Sequence, residues 1–297
     1  MNAQVAYSHL TPDMWDLACL GEEERVRYIR QDYFVKHPYL SPILSHLHKL
    51  ITSPSSRVCG IGVFGEPNSG KTTLGAEIER KYCQDDDKTR ATHPRRTALN
   101  ISLTAAINAR LVFERIIGAC HGPVSGLGKY KDGDQRLIVD LLKQLGTRLL
   151  LLDEFTDILL ASPLEQKRVL SAIKFIMVNC KIVVVALGTS SSKPVFIYDS
   201  HMKERFTRFE LPAWRVNKAL QVFLLGLQNN LPLRKASSLL AYETMMTLIS
   251  VSGGITGRIT DLIKDAAVKA IQTQCESIDI NLINDVARNP VDYSKYK

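Results

Sequence analysis

Gly65-Glu66-Pro67-Asn68-Ser69-Gly70-Lys71-Thr72 fits the pattern GxxxxGK[ST] along its whole length. It follows an apolar strand candidate, Val58 to Phe64, and precedes a helical pattern over 72–83. A glycine-rich loop between a strand and a helix lets backbone N–H groups close around a phosphate, with the helix N-terminus behind them. Gly65 through Thr73 is therefore the expected phosphate cradle. Lys71 is placed to reach the β- and γ-phosphates of a nucleoside triphosphate, and the Thr72 hydroxyl to ligate Mg²⁺.

Leu149-Leu150-Leu151-Leu152-Asp153-Glu154 supplies the second half of such a site. An apolar strand that ends in a carboxylate is a Walker B pattern. Asp153 would hold Mg²⁺ through water, and Glu154 would orient and deprotonate an attacking water. A helix cap is the plainer explanation for an acidic pair, but not for one that follows a complete phosphate loop. One strand candidate, 97–103, lies between the two motifs. That places the strand of Asp153 one removed from the loop strand, the arrangement of ATPases with a catalytic glutamate.

Short apolar stretches alternate with longer helical patterns through this region. The strand candidates are 58–64, 97–103, 149–152, 182–187 and 205–211; the helical patterns are 72–83, 109–119, 134–145 and 163–179. Such alternation predicts an α/β fold with a parallel five-stranded sheet covered by helices. After Pro212 the strands stop. Patterns at 215–228, 236–250, 256–273 and 279–288 predict a small all-helical domain. Ahead of the sheet, helices are expected from about Leu20 to Val35 and from Ser41 to Leu50. The expected division is thus a helical extension over 1–50, a nucleotide-binding domain over 51–212 and a helical lid with its tail over 213–297.

Three further segments carry candidate groups. Strand 182–187 runs into Gly188-Thr189-Ser190. A hydroxyl at that edge would face the γ-phosphate and the lytic water; Thr189 is the first choice and Ser190 the second. Arg205 and Arg208, in Glu204-Arg205-Phe206-Thr207-Arg208, could reach a γ-phosphate only from a neighbouring subunit, as an arginine finger. A solvated basic flank of a strand is the alternative for either one. Arg258 lies in the first turn of a helix, where a cation opposes the helix dipole, and this suggests a phosphate-facing duty.

The rest of the composition sets bounds. The net charge is +8 and the pI about 9.1, compatible with binding nucleic acid. Six scattered cysteines without a CxxC pair argue against zinc and for reduced buried thiols in a cytosolic protein. The apolar runs are far shorter than the ~20 residues that span a bilayer, and the N-terminus lacks a secretory pattern.

Together, the loop, the Asp-Glu strand end, Thr189, the Glu204-Arg205-Phe206 segment and Gly254-Ile255-Thr256-Gly257-Arg258 resemble AAA+ ATPases. The closer likeness is to the TniB/TnsC group, ATPase regulators of Tn7-like and Mu-like DNA transposition in bacteria. Arg25-Val26-Arg27-Tyr28-Ile29-Arg30-Gln31-Asp32-Tyr33-Phe34-Val35 with His37-Pro38 resembles its N-terminal signature, and Val184 to Thr189 its sensor segment. The resemblance implies a cytoplasmic bacterial protein that uses ATP and Mg²⁺. It implies assembly with itself, as a ring or helical filament, around double-stranded DNA. It further implies a bridge from a target selector of the TniQ or TnsD type to transposase subunits of the TnsA or TnsB type. Thr104, Asn108 and Arg110 lie where family members touch the DNA backbone; Lys129 and Lys131, in a glycine-rich loop without a family counterpart, come second. A solvated surface role accounts for these residues equally well. A loader-type ATPase and a STAND-like nucleotide switch share the same motifs.

Overall fold

The computed structural model describes residues 7–31, 34–52, 59–83, 95–106, 108–120, 132–198 and 200–296. In chain order the elements are α1 (Pro12–Cys19), α2 (Glu22–Arg30), α3 (Ser41–Thr52), β1 (Gly60–Gly65), α4 (Lys71–Tyr82), β2 (Ala98–Ser102), α5 (Ala109–Ala119) and α6 (Asp132–Gln144). There follow β3 (Leu149–Asp153), a 3-10 turn (Phe155–Leu160), α7 (Pro163–Cys180), β4 (Val183–Gly188), α8 (Lys193–Tyr198), α9 (Ser200–Arg205) and β5 (Phe206–Leu211). The chain closes with α10 (Lys218–Asn229), α11 (Tyr242–Ser252), α12 (Thr256–Gln272), α13 (Ile280–Arg288) and a 3-10 turn at Ser294–Tyr296. These residues form two compact units, one of 42–67 with 71–211, the other of 1–41, 68–70 and 212–297. Residues 1–50, read from sequence as one extension, thus divide at Ser41.

The first unit is built on five strands in the order β2-β3-β4-β1-β5, and every neighbouring pair is parallel. A parallel sheet needs cover on both faces, so its central strands are apolar without alternation. Leu149 to Leu152 of β3 and Val184 to Leu187 of β4 are fully buried. Of these, Leu150, Leu152, Val184 and Ala186 share a core with Val112, Phe113 and Ile116 of α5, Ile138 and Leu142 of α6, and Ile173 and Met177 of α7. Local signals set the ends of α7. The Ser162 hydroxyl accepts from the Glu165 N–H, Pro163 opens the helix, and Lys181 closes it in a left-handed conformation. β5 pairs only with β1 and lies at the sheet edge, half of it exposed.

The second unit is helical. Trp214 stacks on Phe223 with centroids 4.7 Å apart and shares a core with Leu224, Leu248, Ile263 and Ile271. Val26 and Ile29 of α2 belong to the same core. Two helices are shorter than their sequence patterns. α2 ends at Arg30 rather than near Val35, and the Val35 side chain packs in an extended segment at Gly226, where a Cβ would come within 2.8 Å of it. α11 starts at Tyr242 rather than 236. The backbone before it is extended, with the Lys235 and Ser238 N–H groups donating to the carbonyls of Glu276 and Ile278 at 3.0 and 2.9 Å. His37 is buried among Tyr39, Trp214 and Phe223, which pushes its imidazole down to about 4 and keeps it neutral.

One ion pair ties α2 into this unit. Arg25 is buried and bidentate on Glu276, at 2.7 and 2.8 Å, and also donates to the Pro232 carbonyl. Burial alone would raise the Glu276 carboxyl. Hydrogen bonds from Arg25 and from the Arg234 backbone, with their charges, outweigh it and hold the carboxyl below its usual range. Removing one partner strands the other charge in a buried place. Arg25→Ala is expected to cost about 3–5 kcal/mol in urea unfolding, and Arg25→Ala with Glu276→Ala less than the single change. Because the folded carboxyl is depressed, this contribution is present above the ordinary carboxylate pKa of 4.5 and is lost as pH falls through the folded value. A single variant as stable as wild type would show that the pair contributes nothing.

Candidate nucleotide-binding site

β1 is buried along its length and delivers the chain at Gly65 to a loop that turns into α4 at Lys71. The turn needs two left-handed residues, Asn68 (φ 65°) and Gly70 (φ 87°). Glycine takes that conformation freely, and asparagine is among the few other residues that do so routinely. The Lys71 ammonium donates to the carbonyls of Gly65 and Glu66, at 3.1 and 2.8 Å, so it already lies over its own loop. Burial lowers its pKa, and the carboxylates of Glu154, Asp153 and Glu66 oppose that shift. Thr72 and Thr73 are exposed at the start of α4.

β3 ends on Asp153, which is buried. Its Oδ1 accepts the Glu154 N–H at 2.8 Å. Glu154 follows in a left-handed conformation, φ 53° and ψ 38°, with its side chain exposed. A non-glycine residue held there costs about 1–3 kcal/mol, and such strain clusters at functional sites. The kink turns the chain from the strand into the 3-10 turn and aims Glu154 outward while Asp153 stays in the sheet edge. This donor set suits a magnesium nucleotide. Thr72 offers a hydroxyl, Asp153 keeps its second carboxylate oxygen for a metal-bound water, and Lys71 offers the counter-charge for phosphate.

β4 lies between β3 and β1, so the residue after it stands between the Asp153 strand end and the phosphate loop. That residue is Thr189. Its N–H donates to the Thr156 hydroxyl at 2.6 Å, and its own hydroxyl meets those of Thr156 at 2.9 Å and Ser191 at 2.6 Å. Ser190, the second choice, is exposed. Thr156 escaped the sequence reading, although a hydroxyl two residues after an Asp-Glu strand end was a signal within reach. It explains Gly188 as well. A Cβ there would lie 2.6 Å from the Ser192 hydroxyl and 3.1 Å from that of Thr156.

Three further candidates are arginines. Arg205 is the last residue of α9, not the first of the fifth strand, and is half-buried. Arg208 is exposed on β5, opposite Gly62 in register. In the helical unit, Arg258 is exposed in the first turn of α12. The Gly257 N–H beside it donates to the Asn68 carbonyl at 2.8 Å, and a Cβ on Gly257 would lie 2.3 Å from the Asn68 side chain.

Thr104 is exposed in a turn after β2. Its hydroxyl meets that of Ser102 at 2.6 Å, and its carbonyl accepts from Arg115, a cation the sequence reading passed over. The same turn is tied to the 3-10 turn, where Asp157 accepts the Ala105 N–H at 2.8 Å. Asn108 caps α5 by accepting the Leu111 N–H at 2.9 Å, and Arg110 pairs with Glu114 at 2.7 Å. Both residues thus have work within the chain. Lys129 and Lys131 lie outside the described residues. All six cysteines are free thiols, but only Cys120 is buried. Burial raises Cys120 and Cys180 to about 11, so neither is a nucleophile near neutral pH. Among the described residues no helix is long and apolar enough to cross a membrane.

A parallel sheet in this order, a phosphate loop after β1, an Asp-Glu pair after β3, a polar residue after β4 and a helical region after β5 define an AAA+ P-loop ATPase. The model of the bacterial TniB protein family matches residues 25–216, about two thirds of the sequence, and the chain belongs to that family. No curated protein matches it in sequence. Among solved structures it is similar to the Aeropyrum pernix ORC2 protein in its ADPNP-ADP complexes. The identity is 16%, the match covers 91% of this chain and 73% of that one, and the TM-score is 0.60. The Aeropyrum pernix ORC1 protein in complex with DNA gives 16%, 89% and 68%, with a TM-score of 0.61. Drosophila ORC bound to DNA gives 14%, 97% and 73%, with a TM-score of 0.55. At such identities the likeness is one of fold.

Proposed function

We propose that this chain is an ATP-dependent, DNA-binding regulator of DNA transposition. It assembles in its ATP state, as a ring or a helical filament, around duplex DNA. It joins a target selector of the TniQ or TnsD type to transposase subunits of the TnsA or TnsB type, in the bacterial cytoplasm. The observation that supports this most is the TniB match over 25–216, in a chain whose phosphate loop follows β1 and whose Asp153 and Glu154 follow β3.

The residues take the following parts. The Lys71 ammonium moves from the Gly65 and Glu66 carbonyls to the β- and γ-phosphates. Thr72 and, through water, Asp153 would hold Mg²⁺, which would supply neutralisation of charge at the phosphate oxygens. Glu154 accepts the proton of the attacking water. Thr189, fixed by Thr156, orients that water against the γ-phosphate. Arg205 or Arg208 completes the site of a neighbouring subunit, and Arg258 is a further phosphate-facing cation. The turn at Thr104, with Asn108, Arg110, Lys129 and Lys131, contributes to backbone contact with DNA.

ATP turnover with and without duplex DNA tests this reading, and stimulation by duplex of any sequence is expected. DNA affinity should fall steeply with salt, with a log–log slope of about −0.9 for each phosphate contacted. A flat salt response, or strong preference for one sequence, would overturn backbone tracking. Electron microscopy with ATP and duplex separates the reading from a loader or a signalling switch, since only the first coats duplex in rings or filaments.

A further inference from the structure

In the helical unit, α2 and the Ser294–Tyr296 turn border an open cleft of about 470 Å³, lined by Glu23, Arg27, Arg30, Gln31, Lys295 and Tyr296. Three of these side chains are cations and one is an acid. Arg27 and Arg30 are one turn apart, so both guanidiniums stand on one face of α2, a spacing at which like charges destabilise a helix. The repulsion is tolerated without an internal counter-ion at Arg27, which has no hydrogen-bond or ion-pair partner among the described residues. Arg30, by contrast, is held in place. It donates to the Tyr296 carbonyl at 3.3 Å and lies over the Tyr293 ring, 5.0 Å from its centroid. Lys264 brings a fourth cation to the rim, donating to the Gln31 carbonyl at 2.7 Å. Of the other nearby acids, Glu22 accepts from the Tyr296 hydroxyl, Asp265 accepts from the hydroxyl of Tyr293, whose ring also feels the charge of Asp261, and Asp292 accepts from Ser294 and faces Lys295.

We propose that this cleft is an anion site that takes a phosphate group. A fixed guanidinium beside an unengaged one matches the planar, two-point recognition of phosphate oxygens, and the Lys295 ammonium adds a point charge. The cleft is larger than one phosphate, so the group can belong to a nucleic-acid backbone as well as to a free ion. The backbone source rests on the DNA-binding reading above; the free-ion source does not.

Both sources are tested on the full chain, with saturating ADP and Mg²⁺ filling the phosphate loop. The first probe is inorganic phosphate, followed by calorimetry and by thermal shift against chloride at equal ionic strength. The second is a random-sequence duplex of about twenty base pairs, followed by anisotropy across salt, a length that offers several contiguous phosphates. Arg27 is exposed and has no hydrogen-bond or ion-pair partner among the described residues, so Arg27→Ala should fold as wild type does. It should weaken phosphate binding about tenfold, the loss of one charge-assisted contact, or lower the salt slope for duplex by about one contact. Loss in the phosphate arm alone identifies a free ion, and loss in the duplex arm alone a backbone; either supports the site. Arg30→Lys, which keeps the charge and removes the fork, should weaken the same arm. Equal behaviour of Arg27→Ala and wild type in both arms would overturn the proposal. A wild type that binds phosphate but no duplex would sink the DNA reading and leave this site standing.

Discussion

Glu154→Gln is expected to bind ATP as tightly as wild type does and to hydrolyse it about 10²–10⁴-fold more slowly, because the amide cannot take the proton of the attacking water. On the proposed function, assemblies on DNA should outlast those of wild type, since hydrolysis would release them. Glu154→Gly gives a second, independent readout. Glu154 sits at φ 53°, a conformation glycine adopts without penalty, so this variant should lose the same activity while gaining about 1 kcal/mol of stability. The pairing separates two explanations of the kink. If Glu154 is only a turn residue, glycine stabilises the protein and turnover is unchanged. If it is the base, stability and activity move in opposite directions. Turnover by Glu154→Gln near the wild-type rate would remove Glu154 from the mechanism.

The parts of this site readable in the sequence are those where chain chemistry and local geometry coincide. Gly65 to Thr72 carries its own turn residues, so strand, loop and helix were visible together, and the loop strand does end at Gly65. Leu149 to Asp153 could be read because a strand covered on both faces is apolar throughout, which makes one terminal carboxylate conspicuous. Thr189 followed from strand order alone, since β4 had to stand between the two motif strands. The left-handed backbone at Glu154 was not readable, because no residue preference signals a strained glutamate. The Thr156 hydroxyl was within reach of the sequence, but its meeting with Thr189 was not, since that forms only when the 3-10 turn and the β4 end come together. The same holds for the start of α11. Its helical periodicity extends back to 236, yet backbone bonds to Glu276 and Ile278 override it. The Arg25–Glu276 pair joins residues far apart in sequence and had no local signal at all.

Arg205→Ala or Arg208→Ala is expected to abolish hydrolysis while leaving nucleotide binding by the single subunit intact. The transition state of phosphoryl transfer gathers charge on the γ-phosphate oxygens, and a guanidinium supplied to them contributes about 10³–10⁵ in rate. Arg208 is exposed on the outer strand of the sheet, where a second copy can meet it, and Arg205, half-buried, immediately precedes that strand. If one is the finger, each site is completed by its neighbour and the defect is complementable. Lys71→Ala protein has an intact finger and no functional phosphate loop; the arginine variant has the reverse. Mixed on duplex DNA, the two inactive proteins should recover turnover, with a maximum at intermediate ratios, because one kind of mixed interface pairs an intact loop with an intact finger. The size of the finger effect makes even a small fraction of such interfaces visible above background. Recovery with only one of the two arginine variants identifies the finger. No recovery at any ratio, with both proteins folded and assembled together, would mean that the arginines hold structure and that each site is built within one chain.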